Sequence, residues 1–283
     1  MSIFDRARNR FLVPGFLINS LPKAGTHLLT KAVRLFPGIG SSRTRIIPGE
    51  PDLQVEAQAV LEIPATHIGV DWPRPVAIQA LQQALQSVGG GRFVDVHLPY
   101  SEEAASVLVE LGMKSILILR DPRDVVVSHA DYVAGQPGHF LRERYVTLSD
   151  SERLTASILG IEQTEPGAPR LLSILERCDS VLPWVSQSFN YTTYFEKLVG
   201  PQGGGSHAAQ IQELRAIAKH LGIRCSDREV GLIASNVFGG THTFRQGRIG
   251  GWRGRFSPEH KRVFKELAGQ LLVELGYERD YDW

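Results

Sequence analysis

Three times in the first 135 residues a short apolar run ends in a turn and gives way to a helix-forming stretch. That alternation leaves few architectures open. Residues 15–19 read as a buried strand that passes through 20–25 into a helix over about 26–35. Residues 93–97 alternate as a second strand and stop at Pro99; Ser101-Glu102-Glu103 then supplies the cap and first-turn acids that start a helix. Residues 115–119 form a third strand, and Asp121-Pro122 opens a helix running to about Ala134, with proline where a helix tolerates it. Repeated strand–helix units predict an α/β fold, a central parallel sheet flanked by helices.

The second half reads as mostly helical. It adds a strand over 190–195, a flexible surface loop over 201–205, helices at about 207–221 and 227–238, a Gly- and Arg-rich stretch over 239–256, and a last amphipathic helix from Ser257-Pro258 onward. No internal repeat and no linker separates two cores, so 1–283 reads as a single domain. Segments 41–76 and 134–150 show little periodicity and read as loops; Trp72, Tyr132, Phe140 and Tyr145 are candidate walls of a small-molecule pocket.

Composition narrows the function. Hydrophobic residues make 42% of the chain and charged ones 22%, which excludes a disordered chain. A net charge of +1 argues against a coat for nucleic acid. That sum hides an asymmetry: residues 6–49 hold eight basic residues and no acid, and 239–258 hold four arginines and no acid. Two cysteines, Cys178 and Cys225, make no disulfide framework and no metal-binding C-x-x-C. No apolar run approaches the ~18 residues of a membrane span, and the charged start is a poor signal peptide. These features lead to the expectation of a cytoplasmic protein with no nucleic-acid partner and no metal.

The first strand–helix junction, Pro22-Lys23-Ala24-Gly25-Thr26-His27, presents backbone N–H groups and a positive helix end beside a lysine, a ready anion site. It is not a Walker A loop, because Lys23 precedes Gly25 and the first glycine of G-x-x-x-x-G-K-[ST] is missing. It resembles instead the 5′-phosphosulfate loop of the cytosolic-type sulfotransferases. Three further stretches resemble that family in order: residues 93–99, ending in Val96-His97-Leu98-Pro99; 114–133, with Leu119-Arg120-Asp121-Pro122 and Ser128; and 245–256, with Arg245-Gln246-Gly247, Gly250 and Trp252.

The resemblance implies a P-loop-like fold and a cosubstrate, 3′-phosphoadenosine 5′-phosphosulfate (PAPS), that leaves as the bisphosphate PAP. By the same resemblance, Lys23, Ala24, Gly25, Thr26, His27 and Leu28 meet the 5′-phosphate end, and Lys23 stabilises the leaving phosphate. Arg120, Ser128, Arg245, Gln246 and Gly247 surround the 3′-phosphate. His97 is the general base, its type of side chain titrating ordinarily near 6.5. The acceptor is a small alcohol, phenol, sugar or amine. Leu28 stands where the family often has an aromatic, so Phe195 and Phe238 become candidates for adenine; Gln246 stands where the family commonly has lysine. Taken singly, each residue has a plainer reading: a solvated lysine, a surface salt bridge at Arg120, a serine bonded to its own helix. Two other functions stay open at this point, a P-loop-like small-molecule or nucleoside kinase and a non-catalytic nucleotide-binding module. The oligomeric state is open as well.

Overall fold

In a computed structural model the described residues are 13–48, 50, 53, 64–240 and 247–283. Five strands form one parallel sheet: β1 (Phe16–Ser20), β2 (Gly40–Ser41), β5 (Arg92–Val96), β6 (Lys114–Leu119) and β7 (Asn190–Tyr194), in the order β2-β5-β1-β6-β7. Each adjacent pair runs parallel, as in Leu17 opposite Val94 and Ser115. Successive side chains of a strand point to opposite faces. Phe16, Ile18, Ile116 and Ile118 therefore join one buried cluster, and Leu17, Val94, Leu117 and Leu119 join the other. A sheet buried on both faces needs near-continuous apolar strands, which is why Lys114–Leu119 shows no clean alternation.

Helices α1 (Thr26–Arg34), α2 (Ile78–Gln86), α3 (Glu102–Glu110) and α4 (Pro122–Gly135) make the crossovers. Ser101 caps α3 through Ala104 N–H at 3.1 Å, and Asp121 caps α4 through Arg123 N–H at 2.9 Å, with Pro122 in the first turn. Later helices span Arg142–Val146, Asp150–Leu159, Ile174–Val181, Phe195–Leu198, His207–Leu221, Asp227–Asn236 and Pro258–Glu274. No helix of the described residues is long and apolar enough to cross a membrane.

The structure departs from the sequence expectations at several places, one being the helix Arg142–Val146 inside the 134–150 segment read as loop. Part of the segment read as loop forms an antiparallel pair, β3 (Ala65–Ile68) with β4 (Arg74–Ala77), and α2 follows it directly. Phe195 starts a helix rather than ending a strand, because β7 stops at Tyr194. The 201–205 loop lies at the surface as expected, with Pro201, Gln202 and Gly204 exposed, but one residue turns inward. Pro201–Gly203 makes a 3₁₀ turn, Gly203 is buried, and its carbonyl accepts Ile249 N–H at 3.0 Å. A Cβ there would lie 2.2 Å from Val199 Cγ2, so only glycine allows that approach.

Candidate functional site

The loop after β1, His97 after β5, Arg120 after β6 and Phe195 after β7 all follow carboxyl ends of sheet strands. From β5 the chain crosses past β1 to β6, so these ends flank the topological switch point where open α/β sheets bind ligands. A cavity of about 440 Å³ opens there.

Its anion side is built by the backbone. Gly25 enters α1 with φ 112°, no side chain caps that helix, and no acid sits in its first turn. The first helical bond beyond the loop runs from Leu29 N–H to Gly25 carbonyl, so the N–H groups that begin the helix precede it. Ala24 departs from this pattern: its N–H is spent on Leu21 carbonyl at 3.1 Å and its methyl is fully buried. Lys23 has φ 70°, the only positive value outside glycine among the described residues. A left-handed conformation costs a non-glycine residue about 1–2 kcal/mol. Here it aims the Lys23 carbonyl at Arg120 Nη1, 3.2 Å away, while Nζ lies 4.0 Å from the centre of the Tyr132 ring.

Besides the Lys23 carbonyl, three groups hold Arg120. Nη2 donates to Arg248 carbonyl at 3.1 Å, the guanidinium lies 4.3 Å from the centre of the Phe195 ring, and Asp124 is 3.9 Å away. Its Nε is buried and has no hydrogen-bond partner, an orphan donor in the cavity wall. Asp124 binds the opposite wall, accepting Gly250 N–H at 2.8 Å and Trp252 N–H at 2.9 Å. Burial pushes its carboxyl above the ordinary range against the pull of Arg120. The same helix anchors the chain's end: Arg123 pairs with Asp121 and Glu278 and lies 4.0 Å and 4.4 Å from the ring centres of Trp252 and Trp283.

His97 is fixed from two sides. Asn19, buried at the end of β1, binds both the N–H and the carbonyl of Leu98 at 2.9 Å, and Gly69 N–H donates to His97 carbonyl at 2.8 Å. On the ring, Nδ1 lies 2.7 Å from Ser20 carbonyl. A carbonyl only accepts, so Nδ1 carries the hydrogen and Nε2 is the acceptor nitrogen of the neutral ring.

Of the residues expected from sequence, Lys23, Gly25, Thr26, His27, Leu28, His97, Arg120, Ser128, Phe195 and Gly247 line this one cavity. Arg245 and Gln246 lie outside the described residues. Phe238 does not line the cavity; its carbonyl accepts Lys31 Nζ at 3.3 Å. Phe195 is 4% exposed and carries Arg120 on its ring. Of the four candidate pocket aromatics only Tyr132 lines the cavity. Trp72 packs on Phe140 at 5.2 Å, and Tyr145 is buried with its hydroxyl 2.9 Å from Ser157 Oγ. Asp95, Arg248 and Arg255, also on the wall, were not singled out, although each sits inside a quoted motif.

The fold also gathers groups that no spacing in the sequence connects. Ligand atoms of Asp71, His129 and His139 lie within 4.8 Å of one another, a set that could take a metal ion. Both Asp71 oxygens are already engaged, by Arg177 at 3.2 Å and His129 at 3.3 Å. Burial lowers His139 to about 4, with His129 and Lys23 adding to the shift against Asp71. The unfolded chain, with this imidazole near 6.5, binds more protons in the window between, so stability falls as pH drops from about 6.5 towards 4. The ring is half open to solvent, which screens the effect to about 1 kcal/mol at pH 5. Urea midpoints at pH 7.5 and 5 check this: His139→Phe is expected to lose less stability on acidification than the unmodified chain.

The sulfotransferase domain family matches residues 14–139. Over 98% of this chain and 92% of the other, the fold superposes on mouse sulfotransferase SULT7A1, crystallised with PAP, at TM-score 0.62 and 18% identity. Retinol dehydratase, crystallised with androsterone and inactive cofactor PAP, gives TM-score 0.53 at 15% identity, over 95% of this chain and 85% of that one. Its complex with retinol and PAP gives 0.51 at 16%, with the same coverage. No curated protein sequence matches. The likeness read from four motifs is thus met by a sulfotransferase-domain match over residues 14–139 and by the sulfotransferase fold over nearly the whole chain.

Proposed function

We propose that the chain, as one cytoplasmic domain over 1–283, moves a sulfuryl group from PAPS to a hydroxyl or amine of a small molecule. The observation that carries this reading is the pairing of His97 with the Lys23 loop across one cavity, with Nδ1 tied to Ser20 carbonyl so that Nε2 is the acceptor nitrogen. The residues fit the nucleotide's charge. The uncapped start of α1 and Lys23 would hold the 5′ end, and Arg120, whose buried Nε is orphaned, would hold the 3′-phosphate with Ser128 and Gly247. When bound, the nucleotide supplies an activated sulfuryl group. His97 takes the acceptor's proton at Nε2. Lys23 stabilises negative charge that appears only as the bond to the leaving phosphate breaks. No step in this scheme calls on a metal ion.

Thermal shift tests the reading against a kinase. PAP at roughly 100 times its Kd is expected to raise Tm by about 5 °C, well above the shift from ATP with Mg²⁺. Equal shifts would remove the proposal. Detection of a sulfated acceptor by mass spectrometry would then separate an enzyme from a binding module.

A further inference from the structure

Among the described residues three carboxylates line the cavity, and the fold uses two of them. Asp124 holds Gly250 and Trp252 and faces Arg120. Asp131 pairs with Arg255 at 3.1 Å. Asp95 is exposed and makes no hydrogen bond or ion pair with any described residue; its charge acts on His27, whose imidazole burial lowers and Asp95 raises. Asp95 stands two residues before His97, and both line the cavity. Along a strand this places their side chains on one face, about 7 Å apart.

An unpaired carboxylate on the wall of an anion site weakens anion binding unless something neutralises it. Arg255 is already paired with Asp131 and Asp150, and the other described cations on the wall, Lys23, Arg120 and Arg248, would be matched by the nucleotide's own phosphates and sulfate. The field left beside His97 is then negative, and a cationic group on the second substrate would answer it.

We propose that Asp95 selects acceptors that carry an ammonium group a few bonds from the hydroxyl presented to His97. The class is amino alcohols and hydroxylated arylalkylamines rather than neutral alcohols, sugars or acids. The ammonium is not the nucleophile: it keeps its proton and pairs with Asp95, while the hydroxyl gives its proton to His97. Tyr132 supplies an aromatic surface in the same cavity. This inference rests on the sulfotransferase reading and names the substrate class of that site.

The test uses matched acceptors with PAPS: tyramine against 4-ethylphenol, and 3-aminopropan-1-ol against butan-1-ol. The ammonium member of at least one pair is expected to exceed its neutral partner about tenfold in kcat/KM, the scale of one hydrogen-bonded charge pair, mostly through KM. Asp95→Asn should bring that ratio to about one, and Asp95→Glu should keep the preference. The inference is overturned if no ammonium member is sulfated, if the neutral member is equal or better in every pair, or if Asp95→Asn leaves the ratio unchanged. Calorimetry with PAP keeps the two readings apart. If PAP binds and a neutral member is sulfated, a failure belongs to Asp95 alone; if PAP does not bind, the sulfotransferase reading falls with it.

Discussion

Lys23→Ala is expected to lower kcat for sulfuryl transfer about 10²–10³-fold, the scale of losing one donor that acts on charge developing in the transition state. The fold should survive, because the side chain is on the cavity wall and the loop is held by backbone contacts, Ala24 N–H to Leu21 carbonyl and Arg120 to Lys23 carbonyl. Lys23→Gly is the sharper variant. It removes the same ammonium but also relieves the φ of 70°, so it should be more stable by about 1 kcal/mol while being just as slow. A strained residue that is replaced with a gain in stability and a loss of rate is held for function. Steady-state kinetics and urea denaturation on both variants decide it. Full kcat in either variant removes Lys23 from the chemistry.

The second large effect is at His97. His97→Ala is expected to lower transfer to hydroxyl acceptors about 10²–10⁴-fold, the range for removing a positioned general base. His97→Gln should be equally slow, since an amide can keep a hydrogen bond to Ser20 carbonyl but cannot take a proton at neutral pH. Added imidazole should restore part of the rate to the Ala variant, where the cavity has room, and not to the Gln variant. PAP affinity in both should stay within a few-fold of the unmodified chain, because the anion contacts proposed here are Lys23 with the start of α1, Arg120, Ser128 and Gly247, not His97. If either variant transfers at the full rate, the proton goes elsewhere.

Both predictions rest on residues legible in the sequence, while their geometry was not. The tautomer of His97 depends on a carbonyl 77 positions earlier in the chain, and its backbone on Gly69 in the turn between β3 and β4, which the proline-rich 41–76 segment conceals. The role of Phe195 is another case. As a letter beside a strand it was a candidate for adenine; packed in the fold it is the surface on which Arg120 lies. Asp95 was passed over because an exposed acid in a strand looks solvated until the carboxylates around it are seen to be spoken for.

The sequence by itself determined the strand–helix units and the four motifs, because period, caps and turn chemistry act over a few residues and need no distant partner. The tertiary structure decided which groups meet. Asp124 reaches Gly250 across 126 positions, and Asp71 gathers His129 and Arg177 from two further helices. The reason is physical: a buried carboxylate must find hydrogen bonds or an opposite charge, and which group answers depends on the packing of the whole sheet, not on the residues beside it.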